Sequence, residues 1–286
     1  MVSKVLALHD MVCLGRCSLT VVIPALSAQG MKVCPLPTAL LSSDTGGFGP
    51  VYVRELTSEM EGILTKLQAL EERFDAVYSG YLGSPAQAAL VRRAMELFPG
   101  LRVVDPVLGD QGRLYQSVDE GMVQAMEHLC SQADVITPNL TEACFLTGTP
   151  MPQGPMDPLQ AHRLLQDLLR LGCRAAVVTS AHLQGREGRL ATLVQGADGE
   201  AVALCTQQLH AHFPGTGDLF ASVLVGALLK GKDLQEAAAE ASAFVARSIA
   251  YTLERGTPVR EGVLLEELLG ELAGGLSGAG MERLPL

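Results

Sequence analysis

Short aliphatic and β-branched runs alternate with longer amphipathic runs from the first residues to about position 180. Strands separated by helix-length segments pair in parallel, because each helix must cross a face of the sheet before the next strand begins. The candidate strands are Lys4 to His9, Lys32 to Leu36, Ala76 to Ser79, Arg102 to Val104, Val135 to Thr137 and Ala175 to Thr179. Between them, helices are predicted at Ser18 to Gln29, Glu55 to Arg73, Ser84 to Phe98, Val118 to His128, Leu140 to Leu146 and Pro158 to Leu171. Ser84-Pro85 has the form of an N-cap followed by proline in the first turn, and Gly30 and Gly172 stand where helices end.

Past position 180 the pattern changes. Arg189 to Gln195 and Ala201 to Leu209 flank Ala197-Asp198-Gly199 and predict an antiparallel hairpin at the sheet edge. Helices follow at Leu219 to Leu229, Leu234 to Thr252 and Leu264 to Leu272, with Asp233 as an N-cap. A chain of 286 residues that is 48% hydrophobic can bury the core of one large α/β domain. No repeat or second boundary interrupts it. The expectation is a single domain over 1–273 and a mobile, glycine-rich tail over 274–286.

A net charge of −10 without a basic block argues against a nucleic-acid surface. No apolar run approaches membrane-spanning length, and Met1 to Lys4 leads into a strand without a signal-peptide pattern, so a cytosolic protein is expected. The cysteines, 7 in all, are scattered through apolar segments with no Cys-x-x-Cys pair. They read as buried thiols, and no structural metal is assigned.

In an open parallel sheet, ligands bind beyond the carboxyl ends of the strands. The most telling turn there is Phe213-Pro214-Gly215-Thr216-Gly217-Asp218-Leu219-Phe220. Gly215 and Gly217 allow close approach of the backbone, and the first amides of the following helix favour negative charge. Asp218 then stands where a general base for an attacking hydroxyl is needed, or else merely complements the helix dipole. Asp10 either holds a substrate group or caps a turn. Ser42 to Phe48 is polar, either a binding loop or a solvated turn. Tyr81 either presents a ring to a ligand or packs. Asp105 and Asp110 flank a turn, and two carboxylates in a cleft that holds polyphosphate imply cations. Asn139 and Glu142 have capping-box spacing, and the alternative is organisation of Mg²⁺ with its waters. Thr179-Ser180 ends the next strand. Taken together, these strand ends point to phosphoryl transfer to a small hydroxyl compound.

In order along the chain come Asp44-Thr45-Gly46, Ser79-Gly80-Tyr81, Asp105-Pro106-Val107-Leu108-Gly109-Asp110, Ile136-Thr137-Pro138-Asn139-x-x-Glu142, Val178-Thr179-Ser180 and Gly215-Thr216-Gly217-Asp218. From about Lys4 to Thr252 this set resembles the ribokinase-like superfamily in its vitamin B6 kinase branch. His9-Asp10, Gly15 to Thr20 and Cys34 to Thr38 resemble the bacterial pyridoxamine kinase subgroup. The resemblance implies a three-layer sandwich around a mostly parallel sheet, without a lid domain, and a homodimer using ATP, Mg²⁺ and a monovalent cation, K⁺ being expected. It makes Asp218 the base for the 5′-hydroxymethyl group and Gly215, Thr216 and Gly217 the anion hole. Asp10, Thr45 and Tyr81 match substrate positions. Asp110, Thr137, Glu142, Thr179, Ser180 and Thr216 match nucleotide positions. The metal positions are Asp105, Asp110, Asn139, Glu142 and Thr179, with Asp105 and Thr179 at the monovalent site.

Three departures stand out. Asp10 replaces a serine common in pyridoxal kinases, Asp44 replaces a nearby histidine, and the loop after Asp110 is shorter than in the animal enzymes. Asp10 would favour a cationic group and hence pyridoxamine over pyridoxal. Hydroxymethylpyrimidine kinase shares the fold but typically has cysteine at the position of Asp218. Sugar kinases carry an early lid for which Lys4 to Phe74 leaves little room. A noncatalytic B6 or nucleotide sensor would need no base.

Overall fold

The computed structural model describes residues 2–197, 199–209, 211–274 and 281–286. The strands are β1 (Lys4–Leu14), β2 (Lys32–Ser43), β3 (Val53–Glu55), β4 (Ala76–Ser79), β5 (Leu101–Val104), β6 (Gly109–Asp110), β7 (Arg113–Leu114), β8 (Val135–Ile136), β9 (Ala175–Ala181), β10 (Arg189–Gly196), β11 (Val202–Gln207) and β12 (Glu282–Pro285). The helices are α1 (Leu19–Ala28), α2 (Thr57–Ala69), α3 (Pro85–Leu97), α4 (Glu120–Cys130), α5 (Leu140–Thr147), α6 (Pro158–Arg170), α7 (Thr216–Leu229), α8 (Leu234–Arg255) and α9 (Leu269–Gly274), with a 3₁₀ turn at Val259–Glu261.

Among the described residues, one 10-stranded sheet runs in the order β12-β11-β10-β9-β8-β5-β4-β1-β2-β3. From β9 through β2 the neighbours are parallel, and the flanking strands β10, β11, β12 and β3 are antiparallel. Side chains alternate across the pleat and so divide the core in two. Leu6, Leu8, Val77, Val104, Ile136 and Val178 pack under α2 to α6. Val5, Ala7, Tyr78, Val103, Val135 and Val177 pack under α1, α7, α8 and α9. The result is the expected three-layer α/β architecture. β2 lies on one side of β1 and β4 on the other, so the winding reverses between β1 and β4, the kind of place where open α/β sheets bind ligands.

Local chemistry sets several boundaries. Asp157 with Gln160 and Asn139 with Glu142 form complete capping boxes, and Asp119 and Asp233 cap α4 and α8 through their side chains. Ser84 does not cap α3. Its hydroxyl donates to Glu55 instead, while Pro85 occupies the first turn.

The structure also corrects the sequence reading. β1 continues to Leu14 through a register shift between His9 and Met11, which puts Asp10 inside the strand. β3 precedes a shorter α2 than predicted, because Val53 to Glu55 pairs with β2. Leu264 to Leu268 is not helical, and α9 begins only at Leu269. At the other end, Glu282–Pro285 is no loose tail: it pairs with β11 and covers the edge that the hairpin was expected to leave. Arg186 and Arg189 both bind Glu282, which anchors that strand. The expected mobility of Gly274 to Gly280 falls on residues that, apart from Gly274, lie outside those described.

The α1–α7 contact is close enough to demand glycine. Gln29 is buried and donates to the carbonyls of Ala25 and Ser222 at 3.1 Å each, and a Cβ at Gly226 would collide with its amide. Gly226→Ala is therefore expected to lose about 1–3 kcal/mol despite the better helix propensity of alanine, measured by urea denaturation.

Candidate active site

Gly215 has φ 77°, in the left-handed region, and initiates α7. A Cβ there would run into the carbonyl of Arg16, so the turn before α7 and the turn before α1 touch backbone to backbone. Thr216 stiffens the turn by donating its hydroxyl to the carbonyl of Phe213 at 3.0 Å. The amides of the first turn of α7 lack partners within the helix, and the turn lines a cleft, a ready site for an anion.

Asp218 lies on that first turn with 13% of its side chain exposed. Its Oδ2 accepts a hydrogen bond from the backbone N–H of Ser18 at 2.8 Å. Ser18 has φ 54°, so the chain is turned sharply at the start of α1 to aim that N–H.

A cleft of about 290 Å³ opens beside this turn, walled by β10, β11 and α8. It gathers Asp105, Asp110, Thr137, Asn139, Glu142, Thr179, Ser180, Gly215, Thr216, Gly217 and Asp218. These are the catalytic, nucleotide and metal positions anticipated from sequence. Its other wall is apolar, with Leu190, Phe220, Val245 and Ile249.

Asp10, Thr45 and Tyr81 do not line the cleft. Asp10 is buried in β1 on the other side of the α1 turn, where it feels the charges of Asp218 and Asp44 and receives a hydrogen bond from Ser18. Its Oδ1 has no partner. Burial raises its carboxyl to about 7, and the neighbouring carboxylates push the same way against the Ser18 bond. Thr45 is exposed at the head of the loop after β2, which Gly15 meets through Asp44. Tyr81 is half-buried, and its carbonyl accepts from the Thr38 hydroxyl at 2.8 Å.

The buried acids divide by role. Asp105 accepts from the Thr137 hydroxyl at 3.0 Å, yet burial and the Asp218 charge push its carboxyl up. Burial and Asp105 do the same to Glu142. A cation between these acids would relieve the repulsion, which suits a metal that takes one or two carboxylates along with phosphate oxygens. Glu142 and Asn139 are also committed locally. Glu142 accepts from the amides of Leu108 and Asn139, and Asn139 donates to the carbonyl of Gly109. The capping box is thus formed by two residues that also line the cleft. Among the described residues, no group of three His, Cys, Asp or Glu converges as a ready metal cage.

Sequence reasoning gave no role to two histidines that the fold brings to the site. His212 pairs with Asp110 at 3.1 Å across the cleft mouth. Burial pushes Asp110 up, but His212 and the Gln111 amide outweigh it and hold its carboxyl below the ordinary range. His9 is buried with Nδ1 3.7 Å from Asp218 Oδ1. A histidine in an apolar strand looks like core, and nothing short of the fold separates the cases.

An anion-binding helix start, an adjacent carboxylate and an acid-lined cleft at the carboxyl edge of a parallel sheet define a small-molecule kinase. Residues 23–261 match the phosphomethylpyrimidine kinase family, and the chain belongs to it. It is 35% identical over 263 residues to the pyridoxine/pyridoxal/pyridoxamine kinase of Bordetella avium, covering 87% of this chain and 85% of the relative. A crystal structure of a putative phosphomethylpyrimidine kinase from Bacteroides thetaiotaomicron, in a form with pyridoxal, superposes with TM-score 0.93 at 39% identity over 99% of this chain and 100% of that one. Pyridoxal kinase from Lactobacillus plantarum superposes with TM-score 0.88 at 33% identity, covering 96% of this chain and 98% of that one.

Because the folded protein holds Asp10 more easily protonated than the unfolded chain does, stability present at pH 4 is lost as the pH rises through about 7. Asp10→Asn is expected to be more stable than wild type at pH 8, by on the order of 4 kcal/mol, with the difference closing towards pH 4. Thermal and urea denaturation across that range measure it, and a gap independent of pH would contradict the assignment.

Proposed function

We propose that this chain phosphorylates the 5′-hydroxymethyl group of a B6 vitamer with ATP. The observation that carries the reading is the placement of Asp218 on the first turn of α7, oriented by the Ser18 amide and beside the Gly215-Thr216-Gly217 turn. Relatives named for B6 kinase activity, and a similar structure with pyridoxal, support it.

In this reading the hydroxyl sits against Asp218, which takes its proton as the oxygen bonds to the γ-phosphorus and ADP departs. The amides at the start of α7 hold the charge that develops on the transferred group. The hydroxyl becomes acidic as the new bond forms, so its proton can pass to Asp218 late in the step. Asp110, with Asp105 and Glu142 behind it, would hold Mg²⁺, which neutralises phosphate charge when bound. Asp105 and Thr179 would hold a monovalent ion, K⁺ in our reading. Thr137, Thr179 and Ser180 line the phosphate path, and Leu190, Val245 and Ile249 offer an apolar wall for the base. Asp10, Thr45 and Tyr81 would face the pyridine, and a homodimer in the cytosol completes the reading. Among the described residues no helix is long and apolar enough to cross a membrane.

Asp10 also bears on which vitamer is preferred. An unpaired, buried carboxylate oxygen beside two further carboxylates favours a substrate that brings positive charge, the aminomethyl group of pyridoxamine or a protonated ring nitrogen. The rival substrate, hydroxymethylpyrimidine, is named for more distant relatives, at 26% and 27% identity, and is the less supported reading.

ADP release with Mg-ATP and K⁺ is to be measured on pyridoxal, pyridoxamine, pyridoxine and hydroxymethylpyrimidine. Turnover on a vitamer is expected, with Asp218→Asn lowering kcat by roughly 10²–10⁴-fold while nucleotide still binds. Turnover on the pyrimidine alone would move the chain to the rival reading, and silence on all four would leave a sensor. Pyridoxamine is expected to have the highest kcat/KM, and Asp10→Ser to reduce that preference. Equal specificity constants for pyridoxal and pyridoxamine, unchanged in Asp10→Ser, would remove Asp10 from substrate choice.

A further inference from the structure

His9 lies inside β1, next to the register shift at Asp10, and the chemistry above gives it no task. Its side chain is wholly buried. The ring meets Tyr78 edge to face, with centroids 4.3 Å apart at 72°. Gly80 leaves room for it, since a Cβ at Gly80 would fall on the imidazole. The ring is thus held on two sides and cannot swing away from α7.

Neither ring nitrogen has a hydrogen-bond partner, although both are buried. Leucine or phenylalanine would fill the same volume against Tyr78 without leaving polar atoms unpaired, so the imidazole is costly as packing alone. What distinguishes its position is the neighbour. Nδ1 faces Asp218 Oδ1 at 3.7 Å, roughly half an ångström beyond hydrogen-bond reach. Asp10, Asp44 and Asp105 bring only carboxylates to this centre, and Tyr78 places its hydroxyl 3.5 Å from the Asp218 carbonyl rather than its carboxylate. His9 offers an N–H where its neighbours offer negative charge.

We propose that His9 is a positioning residue for Asp218, donating Nδ1–H to Oδ1 once substrate has seated. The carboxylate then lies between two donors, the Ser18 amide on Oδ2 and the His9 ring on Oδ1, and its remaining Oδ1 lone pair points at the substrate hydroxyl. Because Tyr78 and Gly80 fix the ring, it is the carboxylate that closes the gap. His9 keeps its own proton throughout. The hydroxyl proton passes to Asp218, the hydroxyl oxygen bonds the γ-phosphorus, and the bond from that phosphorus to ADP breaks. This role rests on the kinase reading of the same site.

The test compares His9→Phe, which keeps an aromatic ring against Tyr78 but removes the donor, with His9→Asn, whose amide N–H falls near the place of Nδ1. His9→Phe is expected to lower kcat by about 10- to 100-fold, the worth of one hydrogen bond to a charged group, with KM for vitamer and ATP within about threefold of wild type. Its Tm should not fall, and His9→Asn should recover most of kcat. A folded His9→Phe with wild-type kcat, or His9→Asn no better than His9→Phe, would overturn the proposal. ¹⁵N NMR of the imidazole in wild type and in Asp218→Asn, each with pyridoxamine and a nonhydrolysable ATP analogue, reads the contact without any His9 variant and without turnover. A protonated Nδ1 whose resonance moves on Asp218→Asn is expected, and an unmoved resonance would overturn it. A wild-type protein inactive on every vitamer would instead overturn the kinase reading, and the NMR comparison would still report on the contact.

Discussion

The backbone contact between Gly215 and Arg16 is what the site depends on. With any Cβ at Gly215 the two turns would have to separate. The Ser18 amide would then lose Asp218, and the first turn of α7 would be displaced from the cleft it lines. The same contact closes a second seam. Arg16 binds Glu266 through its guanidinium at 2.7 Å and the carbonyl of Glu261 at 3.0 Å, while Gly262 admits its backbone closely. One tight approach therefore joins the first crossover, the start of α7 and the segment after α8.

Around that joint the protein concentrates negative charge that it does not neutralise itself. Asp10, Asp105 and Glu142 are buried acids raised first by burial and then by neighbouring carboxylates, Asp218 for Asp10 and Asp105, and Asp105 for Glu142, while Asp110 pairs with His212 at the cleft mouth. A folded protein tolerates such crowding when ligands complete the charge balance. Under the proposed kinase reading, phosphate would add yet more negative charge and would need cations with it. The apolar core on both faces of the sheet supports the strands that carry these acids.

Much of this was legible in the chain. Strands β4, β5, β8 and β9 announced themselves as short aliphatic runs between helix-length segments, and their carboxyl ends placed Asp105, Thr137 and Thr179 along one edge. Gly215 and Gly217 marked a turn that needs unusual backbone, which is why Asp218 stood out. The losses have a common cause. β3 and β12 are short edge strands whose residues have no buried periodic face of their own, so only pairing makes them strands. Asp10 appeared to follow β1 because a carboxylate in an interior strand breaks the apolar pattern, and the register shift that accommodates it is invisible locally. His9 and His212 become meaningful only through partners about two hundred and one hundred positions away, respectively.

That span has a kinetic meaning. The hydrogen bond from Ser18 to Asp218 joins residues 200 positions apart, so it can form only after the intervening sheet has assembled and the last layer has docked. Contacts of such separation form late and slowly. On refolding, helical signal and much of the burial can return while the carboxylate at position 218 still lacks its orienting amide. Recovery of kinase activity will lag both and report completion of the fold.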